Sequence, residues 1–364
     1  MTPQLRSALA YVVFLVAISI GLDLAVGSFA ASRAASFRAP HPYYHHGLLP
    51  NRRAETSWGG RPYAMRTDSL GFRDADEARI EPRAAGRRTV LIGDSMVEGL
   101  GVAWERTAAG LLAARGRSRG VEVLNAAVLS YSPRLYELRT RWLVLREGLE
   151  LQRLVVFLDV SDVHDEILYE SFVPRETAPL RDAWAARSLL ARLVRRYDPA
   201  RARIDNRFRR DAEVDVWMRS VDAYRAADGN PDAGRWEWTY DEAAFRAWGE
   251  RGLGLAEKHM AALAAFCRER AIELAVVVFP SPYQILANER AGRQVEFWER
   301  FCAREGTTFV NLFPAFVDPG RRDPLATYDR YFLPDDVHWN ESGHAFVADL
   351  VETAVLGPPR SAAP

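Results

Sequence analysis

The chain has 364 residues, enough for one large domain or two small ones. Its composition, 48% hydrophobic and 26% charged, excludes a disordered, collagen-like or disulfide-scaffold chain. Its 48 basic residues balance 48 acidic ones, so no bulk attraction to nucleic acid is expected; the near-exclusive use of arginine (Lys258 is the one lysine) reads as genome composition.

Ala8–Leu22 (ALAYVVFLVAISIGL) is uncharged, and past Asp23 the apolar run continues to Ala31. A bilayer span needs about 20 such residues, and Arg6 with the terminal amine forms a short cationic flank. A membrane signal-anchor, a signal cleaved near Ser28–Ala31, and a buried core helix all fit. The first two imply an extracytoplasmic domain, periplasmic or at the cell surface. Residues 32–86, rich in Pro, Tyr, Arg and Gly, read as a linker and irregular collar. His41, His45 and His46 lie there without a nearby Cys or carboxylate partner, as expected of a surface loop rather than a metal site.

From Arg87 the pattern changes. Thr89–Ile92, Val121–Leu124, Leu154–Leu158, Ile272–Phe279 and Phe309–Leu312 are apolar runs of strand length. Helix-length segments separate them: from Ser95 to about Arg115, Asp241–Arg270, Val295–Arg304 and, last, Ser342–Leu356. This alternation predicts an α/β fold, a flavodoxin-like three-layer sandwich of about five parallel strands. Residues 165–240 exceed a simple crossover and read as a helical insertion. Its Trp184, Trp217, Trp236 and Trp238 are expected to pack, or to offer a sugar platform; its arginines include Arg207, Arg209 and Arg210. The catalytic-type domain thus spans 87–356, and 357–364 is a tail. Cys267 and Cys302, each late in a helix, are expected either to pair or to remain buried thiols.

Two segments carry candidate chemistry. In Gly93-Asp94-Ser95 a serine follows a strand and opens a helix, so its hydroxyl lies at the carboxyl edge of the sheet with a backbone N–H ready for an oxyanion. In Pro334-Asp335-Asp336-Val337-His338 one loop supplies an imidazole base and a carboxylate to orient it. Asp335 is the expected acid and Asp336 the competing one. His344, in the first turn of the last helix, reads as structural.

Together these segments resemble the SGNH/GDSL hydrolase superfamily, over roughly Arg87–Leu356 with the insertion unmatched. The resemblance makes Ser95 the nucleophile, His338 the base and Asp335 the acid of a D-x-x-H block. Arg66–Arg73 (RTDSLGFR) is similar to the N-S-L-G-F-R collar of membrane-tethered bacterial members, with Asp68 in place of Asn. Two blocks depart from the pattern: Ala127 stands for the oxyanion glycine and Ser161 for the oxyanion asparagine. Asp94, Asn125 and Asp162, with Asp336, are the expected supporting residues.

The resemblance implies a serine esterase removing acyl groups from a glycan or cell-envelope substrate, with no metal or organic cofactor. The expected partners are that ester substrate and the membrane, with no nucleic acid. A polysaccharide O-acetyltransferase, suggested by His338-Trp339-Asn340 and the tether and working with polysaccharide-assembly proteins, and a non-catalytic glycan-binding scaffold are the alternatives.

Overall fold

The computed structural model describes residues 2–33, 37–177, 188–190, 233–289, 292–317 and 323–358. It divides into two units, Met1–Ser36 with Arg175–Val214, and Phe37–Pro174 with Asp215–Pro364. In the first, Pro3–Arg33 is one helix. Its Pro3–Phe29 portion has a mean hydropathy of 2.4 and is not buried, which removes the core-helix reading. A helix of this length and composition can cross a membrane or serve as a signal sequence. Most of the expected insertion, including Trp184, Trp217, Arg207, Arg209 and Arg210, lies outside the described residues.

The second unit begins with two antiparallel hairpins, β1 (Arg38–His41) with β2 (His45–Leu48), and β3 (Arg53–Trp58) with β4 (Arg61–Arg66). The collar is therefore regular, not irregular as expected. Gly59 and Gly60 form the β3–β4 tip, both with positive φ, which suits a two-residue hairpin turn. The collar then closes on itself: Asp68 Oδ1 accepts the N–H groups of Leu70 and Phe72 at 2.8 and 2.9 Å. Asp68 thus closes this turn as an acceptor. Gly71 has φ +73, and a Cβ there would lie 2.3 Å from the Leu48 carbonyl oxygen.

The central sheet holds β5 (Arg87–Ile92), β6 (Val121–Asn125), β7 (Arg153–Leu158), β8 (Glu273–Val278) and β9 (Thr308–Asn311), all parallel, in the order β6-β5-β7-β8-β9. This is the flavodoxin-like order, so the three-layer expectation holds. Every strand coincides with an expected apolar run to within two residues. Side-chain alternation divides each strand between two layers. Val90, Ile92, Val156 and Val276 face the Pro133–Leu145, Glu250–Glu269 and Arg293–Glu305 helices through residues such as Leu135, Met260 and Phe301. Leu91, Val155, Phe157 and Val277 face Ala108–Arg117 and Glu341–Leu356 through Leu112, Val347 and Val351.

The helix expected from Ser95 to Arg115 is interrupted. It stops after one turn, Ser95–Glu98, because Gly99 (φ +82) closes it in the left-handed conformation. A second helix then starts at Ala108 with the Thr107 side chain as its cap. Both cysteines are buried free thiols, so the pairing alternative falls away. Trp238 is buried and donates its indole N–H to the Val160 carbonyl at 3.0 Å, a packing role. Gly71→Ala should lower the unfolding free energy by more than about 1 kcal/mol, since it adds both a left-handed strain and a clash with backbone. The urea midpoint of the detergent-solubilised chain measures this.

Candidate active site

The site starts at the tight exit from β5. A Cβ on Gly93 would meet Val97 Cγ2 at 2.8 Å and Phe157 Cβ at 3.2 Å, so only glycine lets the strand turn directly into a helix. Asp94 Oδ1 caps that helix by accepting the Met96 N–H at 2.9 Å. Ser95 follows as its first residue, at the carboxyl edge of the sheet.

Two buried charges fix this turn from the collar side. The Arg73 guanidinium donates to the carbonyls of Glu98, Gly99 and Val102. The Glu98 carboxylate, fully buried, accepts both terminal nitrogens of Arg38, one at 2.8 Å, and the Leu129 N–H at 2.7 Å. Asn125 adds a third tie. Its Nδ2–H donates to the Val97 carbonyl at 2.9 Å, joining the end of β6 to the Ser95 helix.

The second half of the site arrives on the loop before the last helix. Leu333 N–H donates to the His338 carbonyl at 2.8 Å, and Phe332 pairs with Trp339 as an antiparallel bridge. Asn340 Oδ1 caps the Glu341–Leu356 helix at Gly343 N–H, 2.9 Å away. These bonds place His338 Nε2 2.9 Å from Ser95 Oγ, across 243 positions of sequence.

The other imidazole nitrogen faces Asp336 and not the expected Asp335. His338 Nδ1 lies 2.5 Å from Asp336 Oδ1, which also accepts the His338 backbone N–H at 3.0 Å. Asp335 is exposed and left-handed, with φ 56. Leu333-Pro334-Asp335-Asp336 is a β-turn, closed by Asp336 N–H on the Leu333 carbonyl at 3.2 Å. Proline in its second position and a left-handed residue in its third send Asp335 into solvent and Asp336 toward the imidazole. Asp336, expected as a supporting residue, thus takes the place beside the imidazole expected of Asp335, and the spacing to His338 is D-x-H rather than D-x-x-H.

Burial alone would suppress charge on His338, yet the adjacent Asp336 carboxylate outweighs it and raises the imidazole pKa. Burial would equally raise Asp336, but the His338 charge and hydrogen bonds, with an indole donor, hold its carboxyl below the usual range.

The oxyanion side differs from what the resemblance implies. Among the described residues the Ser95 N–H has no intramolecular acceptor and remains a free donor at a helix start. Ala127 is absent from the positive-φ residues, so its Cβ imposes no strain, but its N–H already leans on Asn125 Oδ1 at 3.2 Å. The Ser161 hydroxyl donates to Asp159 Oδ2 at 2.5 Å. That contact turns the Ser161 side chain, expected as a third oxyanion donor, toward Asp159. Asp162 is also inward-facing, accepting the Tyr136 hydroxyl at 3.0 Å.

Burial raises all three nearby carboxyls, Asp94 to about 8, Asp159 upward and Asp162 well above its ordinary value; mutual repulsion adds to the effect for Asp94 and Asp162. Asp159 was not among the expected site residues. His344, as expected, is structural: its Nδ1 accepts the Ala108 N–H at 3.2 Å. His41 stacks on Tyr44, and His45 Nδ1 sits 2.8 Å from His46 Nδ1; no metal-holding group occurs among the described residues.

No family model matches the chain. No curated protein matches it either. Among solved structures, it is similar to a GDSL-like lipase from Bacteroides thetaiotaomicron (12% identity, 76% of this chain and 91% of that one, TM-score 0.38). It is also similar to a lipase/acylhydrolase from Enterococcus faecalis (13%, 76% and 100%, TM-score 0.39) and to a catalytic mutant of an acetylxylan esterase from Geobacillus stearothermophilus (11%, 76% and 97%, TM-score 0.41). If Asp336 is the acid, Asp336→Ala should cut ester hydrolysis by about 10⁴-fold, while Asp335→Ala stays within about twofold of the parent. Initial rates on a small aryl acetate compare the two.

Proposed function

We propose that this chain is an SGNH-type serine enzyme acting on acyl esters, with Ser95 as nucleophile, His338 as base and Asp336 as acid. One observation carries the reading: a single imidazole bridges the hydroxyl of Ser95 at 2.9 Å and the carboxylate of Asp336 at 2.5 Å. This is the nucleophile–base–orienter arrangement of acyl transfer.

In the proposed reaction Ser95 Oγ attacks the ester carbonyl as its proton passes to His338 Nε2. Asp336 holds the imidazole in the tautomer that can accept that proton and stabilises the imidazolium that results. The Ser95 N–H, at a helix start, donates to the oxyanion. Collapse breaks the bond to the alcohol, which leaves with the proton from His338, and the acyl group stays on Ser95. A second hydroxyl then attacks the acyl-enzyme with His338 again as base, which frees Ser95.

Water as that acceptor gives an esterase, and a sugar hydroxyl gives an O-acetyltransferase. We assign the water reaction as the primary one and a glycan or cell-envelope ester as the substrate class. The apolar Pro3–Phe29 helix supports a membrane-tethered enzyme with its large domain outside the cytoplasm.

Ser95→Ala should abolish both aryl acetate hydrolysis and labelling by a fluorophosphonate, with the fold intact by circular dichroism. Retained hydrolysis would remove Ser95 from the mechanism. The pH profile is a separate check. A base works only when neutral, and the His338 pKa is raised above the ordinary imidazole value of 6.5. The acidic limb of kcat/KM should therefore lie above pH 6.5, and should move to lower pH in Asp336→Ala, measured on whatever residual rate survives.

A further inference from the structure

The triad acid has two oxygens, and the mechanism above uses one. Asp336 Oδ1 serves His338. Asp336 Oδ2 accepts the Trp58 indole N–H at 2.6 Å, and the Trp58 ring meets the His338 ring edge-on with centroids 4.8 Å apart. Trp58 is the last residue of β3, next to the Gly59-Gly60 tip, and pairs with Arg61 across the turn. It is 278 positions from Asp336 and belongs to neither motif segment. Among the described residues its hairpin is a two-stranded sheet of its own, and an isolated two-stranded hairpin is of marginal stability in water. The tip is thus held by what it touches. Beyond the triad, Trp58 covers Gly101, where a Cβ would sit 3.5 Å from the indole.

A carboxylate hinged on one Cβ can rotate away from its imidazole. A donor on the outer oxygen stops that rotation and leaves the inner oxygen facing Nδ1. Such a bond to a charged acceptor is short and strong compared with a neutral one. Tyr328, whose hydroxyl accepts the Asp336 backbone N–H at 3.0 Å, fixes the main chain but not the carboxyl plane.

We infer that Trp58 is a positioning residue of this active site: the indole N–H at the collar hairpin tip locks the Asp336 carboxylate in the orientation that directs His338 toward Ser95. This rests on the ester-enzyme reading for its kinetic consequence, but the lock itself is a property of the Asp336–His338 pair and can be observed without turnover.

The test uses the full chain in detergent micelles and compares it with Trp58→Phe, which keeps an aromatic ring but removes the N–H. Two quantities are read. One is kcat and KM on an aryl acetate. The other is the far-downfield proton resonance of His338 Nδ1–H in the imidazolium state, assigned by its loss in Asp336→Ala. The expected result is a fall in kcat of roughly tenfold or more, KM within about threefold, and a displaced or broadened downfield resonance. A resonance unchanged from the parent overturns the inference whatever the kinetics. A displaced resonance with kcat within twofold overturns the positioning role in turnover.

If Trp58→Phe does not fold, benzothienylalanine at position 58, which replaces the N–H by sulfur in a ring of the same shape, is judged on the same two readouts. Should Ser95→Ala retain activity, the ester-enzyme reading fails on its own, and the resonance still decides whether Trp58 holds the pair.

Discussion

Everything in the site depends on one short contact between an alcohol leaving the first strand of the central sheet and an imidazole arriving just before the last helix. Its partners are separated by most of the domain, so backbone placement alone must bring them together. On the serine side this is done by a glycine that leaves no room for a side chain, a left-handed glycine that ends the helix after one turn, and the buried Arg73 and Glu98. On the histidine side the Phe332–Trp339 bridge and the Asn340 cap do the same work. Neither side uses a long flexible side chain to span the gap, which is why the geometry can be preorganised.

The polar surroundings of that contact are unusual in sign. Asp94 and Asp162 are buried, and Asp159 half-buried, near a serine whose proposed reaction develops negative charge. Their raised pKa values mean that burial and mutual repulsion favour neutral carboxyls there. The block that supplies an asparagine in the resembled family instead holds a serine turned onto an aspartate. The oxyanion would then depend chiefly on the Ser95 N–H, and any loss of the usual donors falls on rate rather than on fold.

Much of this was legible from residues alone. The five strands were readable because both faces of the sheet are buried, so each strand is a continuous apolar run. Ser95 and His338 were readable because a strand–turn–helix and a helix-entry loop place such side chains at a sheet edge. The acid was not. Asp335 and Asp336 are chemically identical neighbours, and only the backbone turn set by Pro334 decides which one points inward. Trp58 was invisible for a different reason. Its partner is distant in sequence, and a tryptophan in a short strand reads as packing. The Gly59-Gly60 pair between alternating residues was a usable hairpin signal, one that would have replaced the irregular collar by β3 and β4. The Asp159 carboxylate was illegible because its contact with Ser161, two residues on, depends on the backbone turn between them.

Glu98 joins three parts of the chain at one buried carboxylate: Arg38 on β1, the amide of Leu129 beyond β6, and the helical turn that begins with Ser95. A group shared in this way cannot be released by one partner without leaving the others unsatisfied in a dry interior. The collar and the turn that carries Ser95 are therefore tied through one buried carboxylate. Peeling β1 away would strand that carboxylate without its cation directly beneath the turn that presents the Ser95 hydroxyl.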